Sequence, residues 1–152
     1  MPMTDYRVII PEEKPQIIEF IQDNSPGIAY VNRSLVDFEP KEVFSWHLSI
    51  MLDIQDTVEN GMPSKKEQEL LDKFGKTLDD NIKGQDKEKP NALFLARITW
   101  NKTRELIWRV FDPDLIDKYL RQIITDNSSP RPFDYRIDPD KDWKLTEWHL
   151  KH

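Results

Sequence analysis

Three histidines and no cysteine set the limits on what this chain could do chemically. His47 stands between Ser45 and Ser49 in VFSWHLSIMLDI, residues 43–54. Residues two apart on a strand share a face, so the trio suggests nucleophilic hydrolysis. That chemistry also requires an orienting carboxylate and an oxyanion hole, and no G-x-S-x-G occurs. His149 and His152 lie three apart near the C-terminus, without the H-E-x-x-H spacing of a helical zinc site. The four glycines, Gly27, Gly61, Gly75 and Gly84, are scattered and form no phosphate-binding loop. We therefore expect no cofactor and no metal centre.

A second group of polar residues lies in ALFLARITWNKTRELIWRVF, residues 92–111: Arg97, Thr99, Glu105 and Arg109. If this hairpin neighbours residues 43–54, these four converge with Ser45, His47 and Ser49 on one sheet face. The functional reading is a polar patch for a partner or an anionic ligand, with both arginines as forked donors. The structural reading is a solvated sheet face laced with Glu–Arg cross-strand pairs, the commoner outcome.

RIDPDKDW, residues 136–143, sets Asp138, Asp140 and Asp142 at alternate positions, as a calcium loop does. Such a loop needs glycine at its sixth position and glutamate at its twelfth. Counting from Asp138, those positions hold Trp143 and His149. The run therefore reads as a turn leaving a strand, with aspartates capping nearby N–H groups.

The elements that must position these groups follow from hydrophobic periodicity. Residues 1–24 are open to more than one reading. Tyr6 to Ile10 suits a short strand, and Glu12 to Asn24 suits a helix with Ile17, Ile18, Phe20 and Ile21 inward and Pro15 in its first turn. Residues 28–38 read as a strand. Residues 43–54 give the clearest strand, with Phe44, Trp46, Leu48, Ile50, Leu52 and Ile54 on one face. Ser64 and Glu67 form a capping box that opens a helix carrying Leu71, Phe74, Leu78 and Ile82. For the 92–111 hairpin, a three-residue loop at 101–103 pairs Phe94 with Val110, Ala96 with Trp108 and Ile98 with Leu106, segregating apolar from polar. It places Leu95, Arg97, Thr99, Glu105, Ile107, Arg109 and Phe111 on the second face. Asp112-Pro113 starts a second helix, with Leu115, Ile116, Tyr119, Leu120, Ile123 and Ile124 as its apolar face. Phe133, Tyr135 and Ile137 alternate in a last strand, and a tail bearing Trp143, Leu145, Trp148 and Leu150 packs on the body.

From residue 43 the order is β-α-β-β-α-β, which predicts an α+β fold of the ferredoxin-like plait: an antiparallel sheet with two helices on one face, plus an extra N-terminal strand and a short N-terminal segment. The whole chain reads as one domain, with residues 1–25 as an extension, 26–143 as the core and 144–152 as a tail. One conflict stands. The 28–38 strand and the last strand both claim the same edge of 43–54. Either the last strand is displaced outward or the first pairs elsewhere.

Composition narrows the function. The 152 residues carry a net charge of −6, with 33% charged and 38% hydrophobic residues. Nucleic-acid binding requires clustered Lys and Arg, so an acidic chain disfavours it. Phe94, Trp108 and Trp46 alternate onto the helix-facing side, and the tryptophans read as core or interface anchors. No basic-then-apolar leader and no membrane-length apolar run occurs, so the expected location is the cytoplasm.

The stretch from Gly27 to Trp143 resembles the bacterial domain-of-unknown-function family 695. The resemblance is carried by SWHLSIMLDI, then GMPSKKEQELLDKF opening a helix, then LARITWNKTREL, and finally an aromatic strand leading to Asp140-Lys141-Asp142-Trp143. The layout is also similar to the ribonuclease E regulator B family, small acidic proteins that bind and restrain an RNA-degrading enzyme. That likeness implies a protein partner. The leading expectation is a soluble, non-catalytic interaction or regulatory module. An enzyme or binding protein for a small anionic substrate is the alternative, and an RNA-associated protein comes third. A bare sheet face would also suit a homodimer.

Overall fold

The structure is a computed structural model that describes residues 8–151. Six strands form one antiparallel sheet: β1 (Pro15–Gln22), β2 (Ser25–Asn32), β3 (Trp46–Asp53), β4 (Ala92–Trp100), β5 (Thr103–Val110) and β6 (Phe133–Pro139), in the order β1-β2-β4-β5-β3-β6. Three helices join it: α1 (Lys65–Lys83), α2 (Pro113–Asp126) and the short α3 (Glu147–Lys151).

The first face of the sheet is buried by the two long helices. Leu48, Ile50 and Leu52 of β3 and Leu106, Trp108 and Val110 of β5 meet Leu71, Leu78 and Ile82 of α1 and Ile116, Leu120 and Ile123 of α2. Helix α1 begins where the Ser64 hydroxyl accepts from the Glu67 N–H at 3.1 Å. The predicted capping box is only half made, because the Ser64 N–H bonds Asp56 O instead. Helix α2 is capped by Asp112, whose carboxylate accepts from the Asp114 N–H, with Pro113 at its first position. Its apolar face is narrower than predicted, since Leu115 and Ile124 are exposed.

The contest for the edge of β3 resolves in favour of β6. β3 lies between β5 and β6, and β2 pairs with β1 and β4. The predicted strand over 28–38 is in fact 25–32, because Asn32 closes it: its side chain accepts from the Ser34 N–H and starts a 3-10 turn at Arg33–Leu35. The predicted helix over 12–24 is replaced by β1. Ile18 and Phe20 alternate inward while Ile17 and Ile21 face out, the period of a strand. Of the predicted strand at Tyr6 to Ile10, Tyr6 and Arg7 lie outside the described residues, and residues 8–10 take no regular structure.

The β4–β5 hairpin departs from its predicted register. The loop has two residues, Asn101 and Lys102, both with positive φ, as a type I′ turn requires. Ile98 therefore opposes Glu105 and Ala96 opposes Ile107. A bulge at Leu95 then shifts the ladder by one, so that Phe94 opposes Trp108 on the helix face. Leu95 and Ala96 are adjacent in sequence, yet both join the core of the second face.

That second face is not open. Val43 and Phe44, from a 3-10 turn at Lys41–Phe44, cover it together with Leu35, Phe38 and Trp143. Phe44 thus leaves the row of Trp46 and Leu48 assigned to it, because the turn interrupts the strand alternation.

Candidate functional site

β3 lies at the centre of a grid of side chains on the second face. Arg109, His47 and Asp138 form one row across β5, β3 and β6; Ile107, Ser49 and Arg136 form the next; Glu105, Met51 and Asp134 form the third. The C-terminal tail leans over this grid, and with Leu145 and His149 it encloses a cleft of about 420 Å³. Five of the predicted residues therefore do share a region: His47, Ser49, Glu105 and Arg109 on the grid, with Ser45 at the entry to β3.

Arg97 and Thr99 do not belong to it. The two-residue turn at Asn101-Lys102 sets both on the helix face, where they sit opposite Leu106 and Arg104. There Arg104 donates to Thr99 Oγ1 at 3.2 Å and to Asp72 Oδ1 of α1 at 2.6 Å. Arg97 lies 3.7 Å from the same carboxylate and stacks over Tyr30. The predicted patch is thus split between the two faces.

Arg109 is wholly buried, and each of its five N–H groups has a partner. Nε and Nη2 donate to Phe44 O, Nη2 also to Asp140 O, and Nη1 to Asp140 Oδ2 at 2.9 Å and to His47 Nδ1 at 3.2 Å. Arginine offers no acceptor, so His47 must accept at Nδ1 and carry its proton on Nε2. Burial, then the Arg109 and His149 charges, lower the His47 pKa to about 4, against the pull of Asp140 and Asp138. The ring is therefore neutral at neutral pH. Burial likewise lowers Arg109 to about 10, a value at which it stays charged beside Asp140.

Asp140 is the member of this constellation that residue type alone did not single out. It comes from the RIDPDKDW turn, and besides holding Arg109 it accepts from the N–H groups of Lys144 and Leu145. The turn reading of that aspartate run gains a specific content: one of its carboxylates neutralises the buried arginine and caps the tail. Among the described residues no group of three or more histidines and carboxylates could hold a metal ion. Ser49 donates to Glu105 at 2.6 Å, so that pair is also satisfied.

The cleft's fixed charges run against an anion. Glu105, Asp134 and Asp138 line it, Arg136 is 3.3 Å from Asp138, and Arg109 is matched by Asp140.

A different surface is left unsatisfied. Among the described residues, β1 is an edge strand hydrogen-bonded only to β2. Its Ile18 and Phe20 pack on the second-face core. On the helix face no described residue covers it: Ile17 is 58% exposed, Ile21 78%, and the neighbouring Ile28 of β2 40%. The helical pattern of residues 12–24 hid this surface, because a helix there would turn Ile17 and Ile21 inward.

Fold and site together define a mixed α/β protein with a six-stranded antiparallel sheet, one face under helices and the other under loops and tail. Residues 17–148 match the model of a family described as "Family of unknown function (DUF695)", and the chain belongs to that family. No curated protein and no solved structure matches it. No helix among the described residues is long and apolar enough to cross a membrane.

Proposed function

We propose that this protein is a non-catalytic, protein-binding module of the cytoplasm whose docking surface is the outer edge and helix-side face of β1. The observation that carries this reading is the row of exposed Ile17, Ile21 and Ile28 beside a strand edge that no described residue pairs. Contiguous exposed apolar surface next to free backbone donors and acceptors favours association. A regulatory role through a protein partner is what the likeness in layout to the ribonuclease E regulator B family suggests, and that likeness rests on the sequence pattern alone. We read β3-α1-β4-β5-α2-β6 as a ferredoxin-like plait. Its support is the order β4-β5-β3-β6 with both long helices on one face.

The alternative, binding or turnover of a small anionic compound, would have to use the second-face cleft. Paired arginines and three lining carboxylates weigh against it. RNA binding would need exposed basic rows, which the Asp72 pairing of Arg97 and Arg104 works against.

The test is site-specific photocrosslinking in native extract. A photoreactive residue at Ile21 should capture the same protein reproducibly, and one at Arg136 on β6 should not. Equal capture, or none, at the two positions removes this reading.

A further inference from the structure

We infer that the partner segment is an extended, basic strand of another protein that lengthens the sheet along β1, with lysine or arginine facing Glu19 and apolar residues facing Ile17 and Ile21. This deepens the reading of β1 as a docking surface and rests on it.

Backbone direction comes first. The Arg33 N–H donates to Lys14 O at 2.8 Å, and the Lys14 N–H donates to Asn32 Oδ1 at 3.0 Å, so Lys14 turns both groups toward β2. The two backbone groups of a strand residue point to one side and the next residue's to the other. Gln16, Ile18, Phe20 and Gln22 therefore bond β2, while Ile17, Glu19 and Ile21 present theirs to the free edge. Pro15, which has no N–H to offer, falls on that outward side, where edge prolines are found.

The side chains agree with the backbone. The same three outward residues point to the helix face, opposite Tyr30, Ile28 and Pro26 of β2. Glu19 thus stands between two exposed isoleucines and is the sole charge on the strand. The opposite edge of the sheet differs. β6 carries Asp134, Arg136 and Asp138 and ends in Pro139, the usual devices that discourage strand addition.

A second copy of this chain is the obvious rival occupant, and its charges disfavour it. Only two antiparallel two-fold registers place an outward residue of β1 opposite each of Ile17, Glu19 and Ile21. One is centred on Glu19 and sets its carboxylate directly opposite its own copy. The other is centred on Ile18 and sets the two carboxylates diagonal on the same face. Like charges in either position are destabilising, and each chain carries a net −6. A strand with a central cation replaces that repulsion with attraction.

The experiment uses the full chain and a seven-residue peptide, blocked at both ends, with lysine at its centre, valine two residues to either side and threonine elsewhere. Binding is read from the amide resonances of Ile17, Glu19 and Ile21. Those resonances should shift, and a glutamate-centred peptide should bind about three- to tenfold more weakly. Glu19→Lys should reverse the preference. Equal binding of both peptides, or no reversal, overturns the inference. Self-association in sedimentation that Ile21→Lys abolishes also overturns it, naming a second copy as occupant while leaving β1 as the docking surface. If neither peptide binds but a crosslinker at Ile21 still captures a specific protein, the inference falls and the broader reading stands. If the crosslinker captures nothing, both fall.

Discussion

Arg109 Nη1 lies 2.9 Å from Asp140 Oδ2, and this pair joins the centre of the sheet to the C-terminal tail. The arginine is fully buried, and the aspartate side chain is 8% exposed. Arg109 also stacks on the Trp143 ring, its guanidinium carbon 4.7 Å from the ring centre. Removing one member of a buried pair leaves the other charge without compensation, at a cost of about 3–5 kcal/mol. Asp140→Ala should therefore destabilise by that amount and expose the chain after residue 143 to proteolysis. Combining it with Arg109→Met should recover part of the loss. A denaturant midpoint for Asp140→Ala within about 1 kcal/mol of wild type would show that the pair does not hold the tail.

Two groups should shape the pH dependence of stability, in separate windows. His47 has its pKa lowered from 6.5 to about 4, first by burial. Below pH 6.5 the unfolded chain binds a proton that the folded ring refuses, so stability falls as pH drops from about 6.5 through 4. Glu67 is lowered from 4.5 to about 2, chiefly by the forked hydrogen bonds of Arg131 at 2.6 and 2.8 Å. Its contribution is complete above pH 4.5 and is lost as pH falls toward 2. Each window is worth up to ~3 kcal/mol. His47→Gln, whose amide oxygen can still accept from Arg109, should flatten the upper window alone, and Glu67→Gln the lower one alone. Urea titrations across pH 2 to 8 check both; a His47→Gln profile parallel to wild type above pH 4.5 refutes the first.

Gly27 faces the Phe20 ring across the β1–β2 ladder, and a Cβ there would overlap that ring. Phe20 in turn packs edge-on against Trp148, centroid to centroid 5.8 Å. Gly27→Ala should push the ring outward, costing about 1–3 kcal/mol, the usual price of overpacking, and should change the near-ultraviolet circular dichroism of the tryptophans. Gly27→Ala with Phe20→Leu should regain stability, because the shorter side chain clears the added methyl. A Gly27→Ala spectrum identical to wild type would mean that the contact is not made.

Periodicity made the helix-face core legible. Leu48, Ile50 and Leu52 on β3, and Leu71, Leu78 and Ile82 on α1, recur at spacings that only one element type explains. Periodicity failed where a single residue resets the phase. Leu95 is apolar and buried on either assignment, so no pattern in residues 92–100 marks it as the bulge, yet it breaks the alternation that would otherwise carry the face of Phe94 on to Arg97 and Thr99. β1 was hidden for a related reason: Ile17, Ile18, Phe20 and Ile21 satisfy a helical stripe, and only the pairing with β2 shows that half of them are left bare. The Asp140 contact spans 31 residues of sequence to Arg109, a distance over which no local pattern operates.

The bulge can be tested directly by deleting Leu95. Without it, residues 96–100 keep their pairing through the Asn101-Lys102 turn, because that register is set locally. The ladder then closes directly from Ala96 to Phe94, which still opposes Trp108, so both segments keep their faces and the edge-on contact of 5.4 Å between centroids is retained. What is lost is the Leu95 side chain from the second-face core and the local twist that the bulge gives β4. Deletion should therefore cost about 2–5 kcal/mol, the range expected for Leu95→Ala, which leaves a cavity in the same place. Amide exchange checks the register: both variants should retain protection across β4 and β5. Loss of protection from Ala92 to Phe94 in the deletion variant, with Leu95→Ala unaffected, would show that the ladder does not close in that way.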